Sequence, residues 1–254
     1  MLTSVYAPVR SRKRYPLLDA WRGFALVNMI AYHAMWDLVY LVGVDAPWYL
    51  GRGAFYWQQA ICWSFILLSG FCWSMGRHPV RHGLVTFACG MLVTVVTLIA
   101  MPDAVIWWGV LTFLGAAALV LYVLRPLLQK CPAWLGLILS GTLFAVTYHA
   151  QRGLLAGRDI LPDWLYGFGH LSAFLGFPAP EFASTDYFPL IPWLFLYLVG
   201  YFLFALWRQS DEIVTLGRRD VPVLGWMGRH SLPIYLAHQP LLYVLVLILN
   251  AVRK

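Results

Sequence analysis

Residues 14–42 read RYPLLDAWRGFALVNMIAYHAMWDLVYLV, an apolar run of membrane length with ionisable side chains set inside it. About 20 residues of helix cross the ~30 Å of hydrocarbon in a bilayer, and an ordinary anchor of that length carries no charge. On a helix turning 100° per residue, with Asp19 at zero, Arg22 falls at roughly 300°, His33 at roughly 320° and Asp37 at roughly 0°. The four share one narrow face, and Asn28 lies on the opposite side. Each charge placed in hydrocarbon costs ~2.5–3.5 kcal/mol even on the lenient insertion scale, so this face must turn to protein or to a water-filled cavity. That cavity is the candidate active site.

The rest of the chain keeps the same character. Of 254 residues, 61% are hydrophobic and 11% charged, which matches no soluble globular composition but does match repeated membrane spans. Seven runs are long enough to cross: Leu17–Val42, Ala54–Met75, Leu84–Met101, Ala104–Leu124, Ala133–His149, Phe188–Trp207 and Ser231–Val252. The expected fold is all-α, a polytopic integral membrane helical bundle of about seven spans. Residues 17–254 form a single transmembrane domain behind a basic cytoplasmic arm over 1–16, which precedes no cleavage site and is expected to be retained.

A net charge of +7 could suggest nucleic acid, but the basic residues sit in short clusters between apolar runs. These clusters (RSRKR, RHPVRH, RPLLQK, WRQSDEIVTLGRRD) alternate with weakly charged connections. Most of the 18 Lys and Arg therefore fall on the side of the N-terminus, which the positive-inside rule makes cytoplasmic. No nucleic-acid partner is expected. Cys62, Cys72, Cys89 and Cys131 lie in or beside spans without metal-ligand spacing and read as small buried hydrophobes, so no metal is expected either.

Only the connection over 150–187 is long, and Trp164, Tyr166, Phe168, Phe174 and Phe177 make it too apolar for a solvated loop. A helical piece around Trp164–Leu175 is expected at the outer interface, where aromatic residues favour the headgroup level. Pro178, Pro180, Pro189 and Pro192 then break regular structure ahead of the sixth span. Loops of this length more often serve as lids or binding elements than as inert connectors.

Several residues could carry chemistry. His33 and Asp37 are four apart, so the carboxylate can accept a proton from one ring nitrogen and leave the other as base, acid or nucleophile. At ~1.5 Å per residue, His33 lies ~24 Å into the span, towards the outer leaflet. The bland reading is a buried histidine bonded to its neighbour. Asp19 and Arg22 at the inner end suit a salt bridge; alternatively Arg22, beside a Gly23 that lets another backbone approach, presents its guanidinium to a phosphate. Arg77, Arg81 and Arg229 could complete such an anion site, although orientation signals would also place them there. In GRHSLPIYLAHQPLLY at 228–243, His238 and Gln239 stand beside Pro240, which frees a carbonyl, and polar groups next to irregular membrane backbone line cavities. Interhelical hydrogen bonding is the plain alternative. Asp186 starts the sixth span from the outer side, where it either caps the helix or recognises an amine or hydroxyl.

Four stretches together, LLDAWRGFALVNMIAYHAMWDL at 17–38, FILLSGFCWS at 65–74, DYFPLIPWLFLYLVG at 186–200 and GRHSLPIYLAHQPLLY at 228–243, resemble the heparan-alpha-glucosaminide N-acetyltransferase catalytic-domain-like family, particularly its compact bacterial members. The resemblance implies a membrane-embedded acyltransferase. It would move an acetyl group from cytosolic acetyl-CoA, as co-substrate, to an amine or hydroxyl of an extracytoplasmic sugar or cell-envelope glycan, with a membrane histidine important for transfer. It places the family's D-x-x-R-G pattern on Asp19, Arg22 and Gly23, and its first-span histidine and aspartate on His33 and Asp37. Relatives often carry histidine where this chain has Thr112.

On this reading His33, Asp37 and His238 are catalytic, Arg22, Arg77, Arg81 and Arg229 bind the co-substrate, and Asp19, Gln239 and Asp186 serve structure or substrate. The expected partners are acetyl-CoA, the glycan acceptor, the bilayer and, as one arrangement, a second copy in a homodimer. The expected location is a bacterial inner membrane. Two other classes stay open: a proton-coupled transporter or flippase using the same buried charges, and a non-catalytic component of a surface-polysaccharide assembly.

Overall fold

A computed structural model describes residues 15–208 and 221–252. The basic arm, apart from Tyr15 and Pro16, lies outside the described residues, as does most of the basic connection at 207–220. Nine α-helices appear among the described residues: α1 Pro16–Tyr40, α2 Arg52–Trp73, α3 Pro79–Ala100, α4 Val110–Leu128, α5 Ala133–Thr147, α6 Gly169–Leu175, α7 Leu190–Trp207, α8 Pro222–Arg229 and α9 Ser231–Val252. Five stretches are long and apolar enough to cross a membrane: Pro79–Ala100, Val110–Leu128, Ala133–Arg152, Leu190–Trp207 and Ser231–Leu249. Helices α1 and α2 match them in length but not in apolarity, because α1 carries the ionisable face and α2 carries Arg52, Gln58 and Gln59. The chain is a helical membrane protein, and five spans rather than seven are marked by apolarity.

The described residues gather into two compact units, one of residues 66–208 and one of 15–65 with 221–252. In the first, α3 packs on α4 and α5 on α7. The α3 face is made of Gly83, Thr86, Gly90 and Thr94, all buried, and faces Thr112 and Gly115 of α4. Helices in lipid gain nothing from burying apolar surface against each other, so they associate through small residues that let backbones close up. A Cβ at Gly115 would run into the Phe87 backbone. The large side chains instead point out: Leu92, Val95, Val96 and Ile99 of α3 are exposed, as lipid-facing residues must be.

The connection after α5 departs from the all-helical expectation. Leu154–Leu155 and Arg158–Asp159 pair as a small antiparallel hairpin, whose two turn residues Ala156 and Gly157 both have positive φ, at 51° and 76°, the geometry of a two-residue hairpin turn. The expected interfacial helix is shorter than 164–175: a 3₁₀ turn over Asp163–Tyr166 precedes α6. Gly167 and Phe168 lie between the two and Gly169 begins α6, and glycine is a poor continuer of helix.

In the second unit α1 packs against α8 and α9. Leu26, Met29 and Ile61 form a buried cluster with Trp57, Phe65, Ile234 and Tyr235 around it. Helix α8 is an element the apolar runs did not mark. Pro222 stands in its first turn, where the missing N–H costs nothing. Gly23 on α1 and Gly228 on α8 let the two backbones touch: a Cβ at Gly23 would collide with the Leu224 carbonyl, and one at Gly228 with the Asp19 carbonyl.

Candidate active site

The expected ionisable face of α1 falls partly inside the second unit. Asp37 is 1% exposed, while His33, Arg22 and Asp19 are half-buried. Asn28, on the far side of the wheel, accepts a hydrogen bond from Trp57 Nε1 at 3.0 Å and donates to the Phe24 carbonyl. It thus holds α1 to α2.

The partner of Asp37 is Gln239, not His33. Gln239 Nε2 donates to Asp37 Oδ1 at 3.1 Å, and the local histidine–carboxylate bond expected from the four-residue spacing is not made. His33 has no hydrogen bond to a described residue and instead faces His238, ring centroid to ring centroid at 5.0 Å with the planes at 57°. Spacing says which side chains can meet, and the packing of α9 on α1 decides which do. His238 Nδ1 bonds the Tyr235 carbonyl. A carbonyl accepts only, so that nitrogen carries the proton and Nε2 keeps its lone pair.

Three atoms of this group are buried without a partner: Asp37 Oδ2, Gln239 Oε1 and His238 Nε2. All three are acceptors. Leaving one buried polar atom unpaired costs about 1–3 kcal/mol, so these acceptors call for a hydrogen-bond donor, which a water or a bound group can supply. A group rich in N–H or O–H, such as an amine or a hydroxyl, is the complement. Among the described residues no three His, Cys, Asp or Glu come together to hold a metal ion.

At the other end of α1, Arg22 meets Asp19 at 3.6 Å, one turn away as the spacing suggested. Gly228 packs its backbone on the Asp19 carbonyl, so Arg229, the next residue, stands at this same end of α1. It is exposed.

The other expected residues belong to the first unit. Arg77 lines a cavity with Trp73, Ser74, Arg125 and Tyr201. Arg81, in the first turn of α3, is exposed and is not part of that lining. Arg125 was not singled out in the sequence, where it read only as an orientation signal; its place one turn from the end of a span, on the same side as RHPVRH, was the available clue. Asp186 does cap a helix, but not the one it precedes. Its Oδ2 accepts from Val110 N–H at 3.1 Å, at the start of α4, while α7 begins after Pro189. Burial pushes the Asp186 carboxyl up to about 6, with the Val110 N–H pulling the other way. Segment 184–188 is stitched to 104–108 by Ser184 Oγ, which accepts from Trp107 N–H, by Thr185 Oγ1, which donates to the Ala104 carbonyl, and by Phe188 N–H, which donates to the Trp108 carbonyl. Thr112 is fully buried on α4, its hydroxyl unpaired.

Comparison with known proteins returns one result. The family model described as heparan-alpha-glucosaminide N-acetyltransferase, catalytic, matches residues 14–240. No curated protein and no solved structure matches the chain.

Proposed function

The chain belongs to the heparan-alpha-glucosaminide N-acetyltransferase catalytic family, and on that premise we propose that it is a membrane-embedded acyltransferase that takes an acetyl group from cytosolic acetyl-CoA. The acceptor is an amine or hydroxyl of an extracytoplasmic sugar or cell-envelope glycan. The membrane is a bacterial inner membrane, the N-terminus is cytoplasmic, and residues 17–254 act as one transmembrane domain in which α1 and α2 bring the spans to seven.

The observation that carries the reading is the set of buried, unpartnered acceptors at Asp37, Gln239 and His238. They suit an acceptor substrate that arrives with N–H or O–H groups. His238 takes the substrate proton on Nε2 as the substrate nitrogen or oxygen bonds to the thioester carbonyl carbon. The C–S bond then breaks and coenzyme A leaves as the thiol once its sulfur has taken a proton. Asp37, oriented by Gln239, stabilises the imidazolium formed in that step. His33 lies against the His238 ring and is the more exposed of the two histidines, placed to relay the proton or the acetyl group. Arg22, Arg77, Arg81 and Arg229 bind the co-substrate's phosphates, and Asp186 orders the outer loops.

The test is acetyl-CoA turnover by the purified full chain in nanodiscs, read as free thiol. The double change His33→Ala/His238→Ala, which removes the proposed base and its relay, is expected to lower it by roughly 10²–10⁴-fold, the usual worth of a positioned acid or base. Turnover that survives this change removes the proposed chemistry. Solute or proton movement without thiol release would favour the transporter reading, which two facing membrane histidines also suit.

A further inference from the structure

We propose that the cavity between Arg77 and Arg125 is a binding site for a phosphoryl anion, with Arg125 as its deeper cation. The inference rests on the transferase reading only for the source of that anion, because the site stands on its own geometry.

The cavity measures about 130 Å³, room for several water molecules and so for one phosphoryl group in their place. Trp73 and Tyr201, 8% and 2% exposed, are buried against its inner end. Trp73 is fixed there by its Nε1–H, which donates to the Ala118 carbonyl at 3.0 Å. Arg125 sits in the last turn of α4 and is half-buried, whereas Arg77 is exposed. Neither guanidinium has an ion-pair partner among the described residues, and no acidic side chain lines the cavity.

Two guanidinium groups lining one concavity, with no acidic side chain among the described residues of its lining, repel each other unless an anion lies between them. Their planar forks match phosphate oxygens two at a time. The N-terminus of α3, a 22-residue helix that starts at Pro79 in the lining, adds a positive dipole end on the same wall. Ser74 contributes a hydroxyl donor. The chain thus provides charge, donors and space, while nothing described supplies the anion.

The anion comes either from a soluble phosphate ester, of which the proposed co-substrate is one, or from a phospholipid headgroup that reaches the cavity from the bilayer. The experiment uses the full chain in phosphatidylcholine nanodiscs and measures binding of inorganic pyrophosphate by calorimetry, then repeats the preparation with phosphatidic acid in the bilayer and measures retained phosphatidic acid by mass spectrometry. Saturable pyrophosphate binding, weakened about tenfold or more in Arg125→Gln and partly restored in Arg125→Lys, supports the site with a soluble source. Phosphatidic acid retained by the wild type and lost in Arg125→Gln supports it with a lipid source. Failure of both probes to bind, or binding unchanged in the Arg77→Gln/Arg125→Gln chain, overturns it. His33→Ala is expected to leave pyrophosphate binding intact. Thiol release by the wild type without binding of either probe overturns this site and leaves the transferase reading standing, whereas saturable, arginine-dependent binding without thiol release does the reverse.

Discussion

Replacing Asp186 by asparagine tests whether a carboxylate wedged between the 104–110 and 184–188 segments destabilises the fold when ionised. The wild-type group has its ordinary value near 3.8 when unfolded and is pushed up to about 6 when folded, mainly by burial. At ~1.4 kcal/mol per pKa unit, that gap is about 3 kcal/mol, and partial exposure of the side chain trims it to roughly 2–3 kcal/mol. The dipole at the start of α4 favours the charged form, but only by about 0.3–1 kcal/mol, so burial wins. The sign follows from linkage: the stabilising contribution of the protonated acid is fully present below pH 3.8 and is lost as pH rises through about 6. The asparagine side chain in Asp186→Asn keeps an oxygen for the Val110 N–H and never ionises. In mixed micelles titrated with SDS and followed by tryptophan fluorescence, the asparagine chain is expected to be the more stable at pH 7.5 by roughly 2–3 kcal/mol. The two chains should converge by about pH 4. A stability difference that is the same at both pH values refutes the reasoning, because it would mean that Asp186 is charged, or solvated, equally in both states.

Two further outcomes follow from the contacts around α1. Gln239→Leu removes the donor on Asp37 Oδ1 and leaves a 1%-exposed carboxyl without any hydrogen bond. A bond to a charged group is worth about 1.5–3 kcal/mol, so a stability loss of that order is expected in the same SDS titration, and an unchanged curve would count against the pair. Gly228→Ala drives a Cβ into the Asp19 carbonyl and should lower the thermal midpoint through about 1–3 kcal/mol of overpacking. Gly141→Ala, where a Cβ meets open space, should leave the midpoint level or raise it. Equal effects at the two glycines would show that α8 does not seat on α1 as described.

What the sequence made legible is what local physics decides. Apolar length located most of the long helices to within a few residues, because hydrocarbon requires about 20 residues whatever surrounds them. The run Ser231–Val252 coincides with α9. Helix α8 escaped because eight residues with two internal glycines carry no span signal, and the hairpin escaped because its strands are two residues each. Gly23 could be read as a point of close backbone approach, but the backbone it meets, at Leu224, is some two hundred residues on in the chain.

The candidate site divides along the same line. The shared face of Asp19, Arg22, His33 and Asp37 is a property of one helix and needed only its period. The hydrogen bond that holds Asp37 joins residues 202 apart, and no periodicity within α1 could name Gln239 over the nearer His33. That exchange of partners changes the chemistry available. A His33–Asp37 pair would have satisfied one nitrogen locally. The observed arrangement leaves Asp37, Gln239 and His238 each with an unpaired acceptor. A purely structural network would satisfy all its members, since a half-satisfied one is less stable than apolar packing. The unpaired acceptors are the positions at which a hydrogen-bond donor, a water or a substrate N–H or O–H, would complete the network.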